Sequence, residues 1–367
     1  MKLPRLQWLQ LNRGVKAESN LKRKLKKVKK LAPESEAKRN RSQRLAIYNH
    51  KGGVGKTTLT VNIAAALGFL GKKVLLVDTD PQCNLTSYLI EASVVDDLLD
   101  NSSGPSGKTI WSALRPISEG TGTLQAIEPI ELSIGNVFLL PGDILLSEFE
   151  RDLNQFWSEC FEGRIKGFRG ITALSLLVNS VASKHNIDYV FYDLGPNIGP
   201  LNRAVLLDCD FFIVPAACDL FSIRALKTLG RTLSMWIRNW KTISELAPAD
   251  IYLLPGRPRF LGYIPQRFRV YRGQVTQGQS SYLSRIEKSI NSEIVTVLRR
   301  VDTALASSSM TENRIGQIKD FGSLAAESQT QGVPIENVNA GTADQRAEAS
   351  KAFRDIARRI ISRTTKK

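Results

Sequence analysis

Histidine, cysteine and long apolar runs are scarce in this chain, and each shortage closes a class of function. The 367 residues include two histidines, His50 and His185, and four cysteines, Cys83, Cys160, Cys209 and Cys218. The cysteine spacings match no zinc or iron–sulfur pattern, so cluster-based electron transfer is excluded. Free thiols in a reducing cytoplasm are the simple expectation, with Cys209 and Cys218 buried beside a core strand. No run of 18 apolar residues exists, so no transmembrane helix is expected. The N-terminus is basic but lacks an apolar stretch followed by small residues, which argues against a secretory signal. A hydrophobic content of 42% supports a sizeable core, enough for one large α/β domain or two small ones.

Acidic residues are also unevenly spread. The net charge is +16, and residues 1–44 alone carry 15 Lys/Arg against 3 Asp/Glu. This basic arm is the electrostatic footprint of a polyanion partner. Leu21, Leu25, Val28 and Ala32 recur at helical spacing within it, with Lys22, Arg23, Lys24, Lys26, Lys27, Lys29 and Lys30 around them. Three readings stay open for the arm: it binds DNA phosphates, lies on anionic lipid, or is a solvated tail.

From residue 45 onward, strand and helix patterns alternate. Strands are predicted at 45–49, 73–78, 136–140, 188–193, 210–215 and 260–264. Helices are predicted at 56–70, 143–158, 171–184, 199–207, 221–240, 281–304 and 343–361. The alternation implies a doubly wound, mainly parallel sheet with helices on both faces, residues 45–367 forming one domain behind the arm. Residues 101–135, rich in Gly, Ser, Thr and Pro, read as a long loop or a partly ordered insertion. Arg257, Arg259, Arg267, Arg269 and Arg272 are interleaved with aromatics. They read either as a second DNA-binding surface or as a strand followed by a solvated loop. The stripe Ala349, Ala352, Phe353, Ile356 and Ile360 in the last helix suits docking on the core better than membrane binding.

The most informative segment is His50-Lys51-Gly52-Gly53-Val54-Gly55-Lys56-Thr57-Thr58. It lies between a predicted strand and a predicted helix, the context of a phosphate-binding loop. The glycines let the backbone wrap an anion, and the loop N–H groups with the helix N-terminus point at phosphate oxygens. Lys56 would reach the β and γ phosphates, Thr57 would ligate Mg²⁺, and Thr58 would meet the α phosphate. The plain pattern asks for glycine where His50 stands, and a second lysine, Lys51, follows it. That extra lysine suggests a charge offered to a neighbouring subunit. Two more strands end in acids: Asp78 and Asp80 after the second, Asp193 after the fourth. Ligands in open α/β sheets sit beyond these strand ends. Asp78 and Asp193 are therefore candidate metal-site carboxylates, and Asp80 a group that orients the attacking water. Strand-end acids are also common as turn residues.

These segments resemble the deviant Walker A ATPases of the ParA type, partition proteins related to MinD within the SIMIBI class of P-loop NTPases. The resemblance runs through Asn49–Thr58, Leu75–Gln82, Tyr192–Pro196 and Phe212–Pro215 with Asp219 after it, and ends in Glu327–Ile335. It implies a magnesium- and ATP-dependent homodimer that hydrolyses ATP and binds DNA without sequence preference. Such a protein partitions plasmid or chromosomal DNA in the cytoplasm, on the nucleoid, with a ParB-like activating partner. It further implies that Lys51 reaches the partner's nucleotide and that Asp80 is essential for hydrolysis. One departure is Gly195, where the family usually has proline. Two alternatives remain: a switch that positions protein or membrane-associated cargo, and an ATPase subunit of a larger DNA-related assembly such as a defence system.

Overall fold

A computed structural model describes residues 41–365 except 269, 272, 273 and 276, and the side chains of 280 onward and up to 266. Lys22, Arg23, Lys26, Lys27, Lys29, Lys30, Arg269 and Arg272 lie outside the described residues. Arg267 is described in its backbone only, and it lies within a strand rather than in the loop expected after one.

Among the described residues ten strands form in chain order: β1 (Gln43–Ile47), β2 (Val74–Asp78), β3 (Ile130–Glu131), β4 (Val137–Leu140), β5 (Tyr189–Asp193), β6 (Phe211–Ala217), β7 (Arg259–Phe268), β8 (Val270–Tyr271), β9 (Gln274–Val275) and β10 (Ile318–Lys319). Eight of them make one sheet in the order β10-β7-β6-β1-β5-β2-β4-β3. All pairings in it are parallel except β3 with β4. The central strands read as unbroken apolar runs because both faces are covered.

The helices are α1 (Lys56–Phe69), α2 (Asn84–Leu89), α3 (Ala92–Asp100), α4 (Ile110–Ser118), α5 (Leu146–Phe161), α6 (Ile165–His185), α7 (Pro200–Asp208), α8 (Leu220–Glu245), α9 (Gln277–Ser289), α10 (Thr296–Val301), α11 (Met310–Asn313), α12 (Ser323–Gln331) and α13 (Ala343–Thr364). Alternate strand residues feed two cores. Ala46, Leu75, Val190 and Phe212 pack under α4 to α9. Leu45, Leu76, Phe191 and Ile213 pack under α1, α12 and α13. The apolar stripe of α13 is docked there through Ala349, Phe353, Ile356 and Ile360. Among the described residues no helix is long and apolar enough to cross a membrane.

Three expectations need correcting. Of the two readings of segment 101–135, the long loop fails and the partly ordered insertion holds: α4 lies inside it, capped by Thr109 and Ser112 in a reciprocal capping box, with Ile110, Trp111 and Leu114 buried. Strand β1 begins at Gln43, and Arg44, counted with the basic arm, is fully buried. The helix expected over 281–304 is broken by a π-helical turn, Ile290–Val295. Opposite that turn stands Gly230 of α8, where a Cβ would lie 1.8 Å from the Glu293 carbonyl oxygen. The two backbones meet with no room for a side chain. Gly230→Ala is therefore expected to destabilise the fold by about 1–3 kcal/mol as overpacking, measured as a lowered urea midpoint.

Candidate nucleotide site

The sheet order puts β1 between β5 and β6, so the chain reverses direction across the sheet at β1. A crevice opens there beyond the strand ends. The loop 50–55 fills that crevice. Gly53 and Gly55 hold φ angles of 67° and 77°, a left-handed conformation that favours glycine. Gly55 precedes α1 without a side chain to cap it, so the first-turn N–H groups face outward from the helix end.

Neighbouring side chains fix the loop. Asn49 donates from Nδ2 to the Pro215 carbonyl at 2.9 Å and accepts from the Lys51 N–H at 3.0 Å, tying β1 to β6. Gln266, near the C-terminal end of β7, donates to the Val54 carbonyl at 2.6 Å. A Cβ on Gly55 would lie 2.8 Å from the Gln266 Oε1, which explains the glycine there a second way. Gln266 was not singled out from sequence; it lies two residues before the end of β7, whereas Asp78 and Asp193 are the last residues of their strands.

Lys56 is buried, 8% exposed, and the one described hydrogen bond of its ammonium is a long one, 3.4 Å to the Lys51 carbonyl. Burial lowers its pKa, opposed by the charges of Asp193 and Asp80. Thr57 donates to Asp193 Oδ2 at 2.7 Å, and Thr60 reaches Oδ1 at 3.4 Å. Burial raises the Asp193 carboxyl to about 6 against the pull of Thr57 and Lys56. His50 is half-buried with its Nδ1 lacking a hydrogen-bond partner, and burial, then Lys56, lowers its pKa.

The structure separates the three acids. Asp193 stands on the loop threonine, where a metal-site carboxylate was expected. Asp80 lies beside it in the crevice, accepting from Gln82 N at 3.0 Å and Asn84 Nδ2 at 3.1 Å. A Cβ at Gly195 would sit 3.1 Å from Asp80 Oδ1, a close approach between the two strand-end loops that the glycine leaves open. Asp78, the other expected metal-site carboxylate, is engaged by its own neighbours. Its Oδ2 accepts from Thr86 N at 2.8 Å and Thr86 Oγ1 at 2.6 Å, and its Oδ1 from Asp80 N at 3.2 Å. Full burial, then the Asp193 charge, raises it to about 7. Asp78 thus holds the Asp80 loop in shape.

Lys51 turns away from Lys56. Its Nζ forms an ion pair with Asp219 and lies 3.3 Å from Ser222 Oγ, at the first turn of α8. Asp219 also caps α8, accepting from Ser222 N at 2.8 Å. Although burial raises its pKa, Lys51 and Ser222 bring it below the usual carboxylate value. Beside the loop lies a cavity of about 220 Å³ bounded by Gly55, Thr58, Gln266, Ile318, Phe321 and Phe353. Its apolar Ile318, Phe321 and Phe353 come from β10, the segment just after β10 and α13, distant in sequence from the loop, and Lys319 and Asp320 line the cavity as well.

The AAA_31 family, an AAA domain, matches residues 42–245. The sporulation initiation inhibitor protein Soj of Bacillus subtilis is 32% identical over 198 residues, covering 52% of this chain and 64% of Soj. The chromosome partitioning protein ParA of Myxococcus xanthus is 33% identical over 194 residues, covering 52% of this chain and 58% of that protein. The match thus spans less than two thirds of either relative. A solved Corynebacterium diphtheriae protein shares the fold, with a TM-score of 0.68, 24% identity and coverage of 88% of this chain and 99% of that one. On the loop, the sheet order and the match over more than half its length, this chain belongs to the AAA_31 family, with the ParA- and Soj-type P-loop proteins.

Proposed function

We propose that the protein hydrolyses ATP as a homodimer, binds DNA without sequence preference while ATP is bound, and thereby partitions or positions DNA. The observation that carries this reading is the loop with two lysines in different positions: Lys56 within the phosphate cradle, Lys51 outside it on Asp219. The name of the Myxococcus xanthus relative, a chromosome partitioning protein, supports the DNA part.

Phosphoryl transfer to water needs positioning and charge stabilisation more than covalent help. The loop N–H groups and Lys56 would bind the β and γ phosphates. The Thr57–Asp193 pair suits a Mg²⁺ ion, Thr57 as a ligand and Asp193 as acceptor for its water; the ion would supply positive charge to the same oxygens. Asp80 would align the attacking water. The cavity beside Thr58 would offer a purine base the apolar Ile318, Phe321 and Phe353 alongside the polar Gln266, Lys319 and Asp320. Lys51 would leave Asp219 to neutralise charge on the partner's nucleotide, so hydrolysis would require two copies. A ParB-like protein would accelerate that step, and the protein would reside in the cytoplasm on the nucleoid.

Sedimentation with a non-hydrolysable ATP analogue and Mg²⁺ tests the switch. The dimer should form with the analogue and not with ADP, and Lys51→Ala should lose it. A Lys51→Ala chain that stays monomeric and hydrolyses ATP at the full rate would sink the trans-lysine mechanism.

A further inference from the structure

We infer that the outward face of α8 is a phosphate-backbone contact surface for duplex DNA, an inference that rests on the DNA-binding reading above. This helix has 26 residues. Its cations are Arg224, Lys227, Arg231, Arg238 and Lys241, all exposed, and its one acid is Glu245 at the last position. At 100° per residue the five cations fall within an arc of about 100°, and they extend along about 26 Å of helix.

A solvated helix face usually mixes charges of both signs. Several cations elsewhere on this protein are paired: Lys184 with Glu128, Arg257 with Asp302, Lys319 with Glu348, Arg358 with Asp355. Among the described residues, none of the five α8 side chains makes an ion pair. A single-sign row of this length on a rigid, core-docked helix matches a regular row of phosphates.

The occupant follows from the other side of the helix. Leu226, Leu229, Leu233, Trp236, Ile237 and Trp240 are buried in the core. An interfacial membrane helix needs that apolar face free to enter the acyl region; in α8 it is taken up by the core, and of its large apolar side chains only Leu220, Phe221 and Met235 stay exposed. Neither the basic arm nor the 257–272 cluster includes these residues. In sequence they look like the polar half of an ordinary amphipathic helix.

The test uses the full chain with Mg²⁺ and ATP, a fluorescent 40-base-pair duplex of arbitrary sequence, and salt from about 50 to 200 mM. The variant Arg231→Gln/Arg238→Gln should weaken binding about tenfold and flatten the log K against log salt slope by about 2. Arg224→Gln/Lys241→Gln should do the same from the two ends of the row. Thermal midpoint and ATP turnover without DNA should not move, because the residues are exposed and outside the nucleotide site. Wild-type binding with both variants unchanged in affinity and slope would overturn this inference and leave the proposed function standing. No duplex binding by the wild type would overturn both. Variants that keep DNA binding but lose binding to phosphatidylglycerol vesicles or to an acidic peptide would also overturn it, in favour of that partner.

Discussion

Lys56→Ala is expected to lower ATP turnover by about 10²- to 10³-fold while leaving the protein folded. The magnitude is that of removing one preorganised donor from a site where negative charge builds up. Lys56 is suited to that loss. It is buried, its ammonium lacks a short hydrogen bond to protein, and Asp193 and Asp80 hold its charge against burial. A buried cation with so little protein engagement has its favourable contacts still to make, and phosphate oxygens in the glycine cradle supply them. The fold should survive because α1 is anchored elsewhere, by Leu59, Ile63 and Leu67 in the second core. Lys56→Arg should recover little, since a planar guanidinium is larger than the ammonium this loop encloses. Phosphate release and binding of a fluorescent ATP analogue measure the effect. Turnover within twofold of wild type in a folded Lys56→Ala chain would remove Lys56 from the site.

How much of this site was legible depended on how local each feature is. The loop declared itself because three glycines between a strand and a helix are a local pattern. Asp193 was legible because its apolar strand ends on it. The Thr57–Asp193 contact joins residues 136 apart, and Gln266 reaches the loop from 212 residues away, so neither left a local trace. The hydrogen bonds of Asp78 were hidden for a related reason. Sequence put it at a strand end, but only the fold shows Thr86 returning two donors to it. In the sheet, strand positions were close because each central strand is a short continuous apolar run. Helix α4 was hidden because Gly, Ser and Thr dominate the surrounding composition, while its signal is confined to the Thr109–Ser112 box and three apolar residues. The π turn was hidden because it is set by a backbone contact with Gly230 on another helix.

Arg44→Ala is expected to cost about 3–5 kcal/mol of stability, the loss typical of breaking a buried ion pair from one side. Composition placed Arg44 at the end of a basic arm; the fold places it in β1 at 0% exposure. Its guanidinium pairs with Asp208, donates to Ser175 Oγ at 2.7 Å and to Asn179 Oδ1 at 2.5 Å. Asp208 in turn accepts from Ser175 at 2.6 Å and from Tyr192 at 2.6 Å. Burial works against the Arg44 charge, and Tyr192 and Asp208 outweigh it, so its pKa is raised. Removing the arginine leaves Asp208 charged, buried and short of its counterion. Arg44→Met/Asp208→Leu should therefore lose less than Arg44→Ala, because no uncompensated charge remains. Urea unfolding of the three chains measures the difference. A loss under about 1 kcal/mol for Arg44→Ala would mean that water reaches Asp208 once the arginine is gone, and that the network joining β1, β5, α6 and α7 is not what holds the strand behind the phosphate loop.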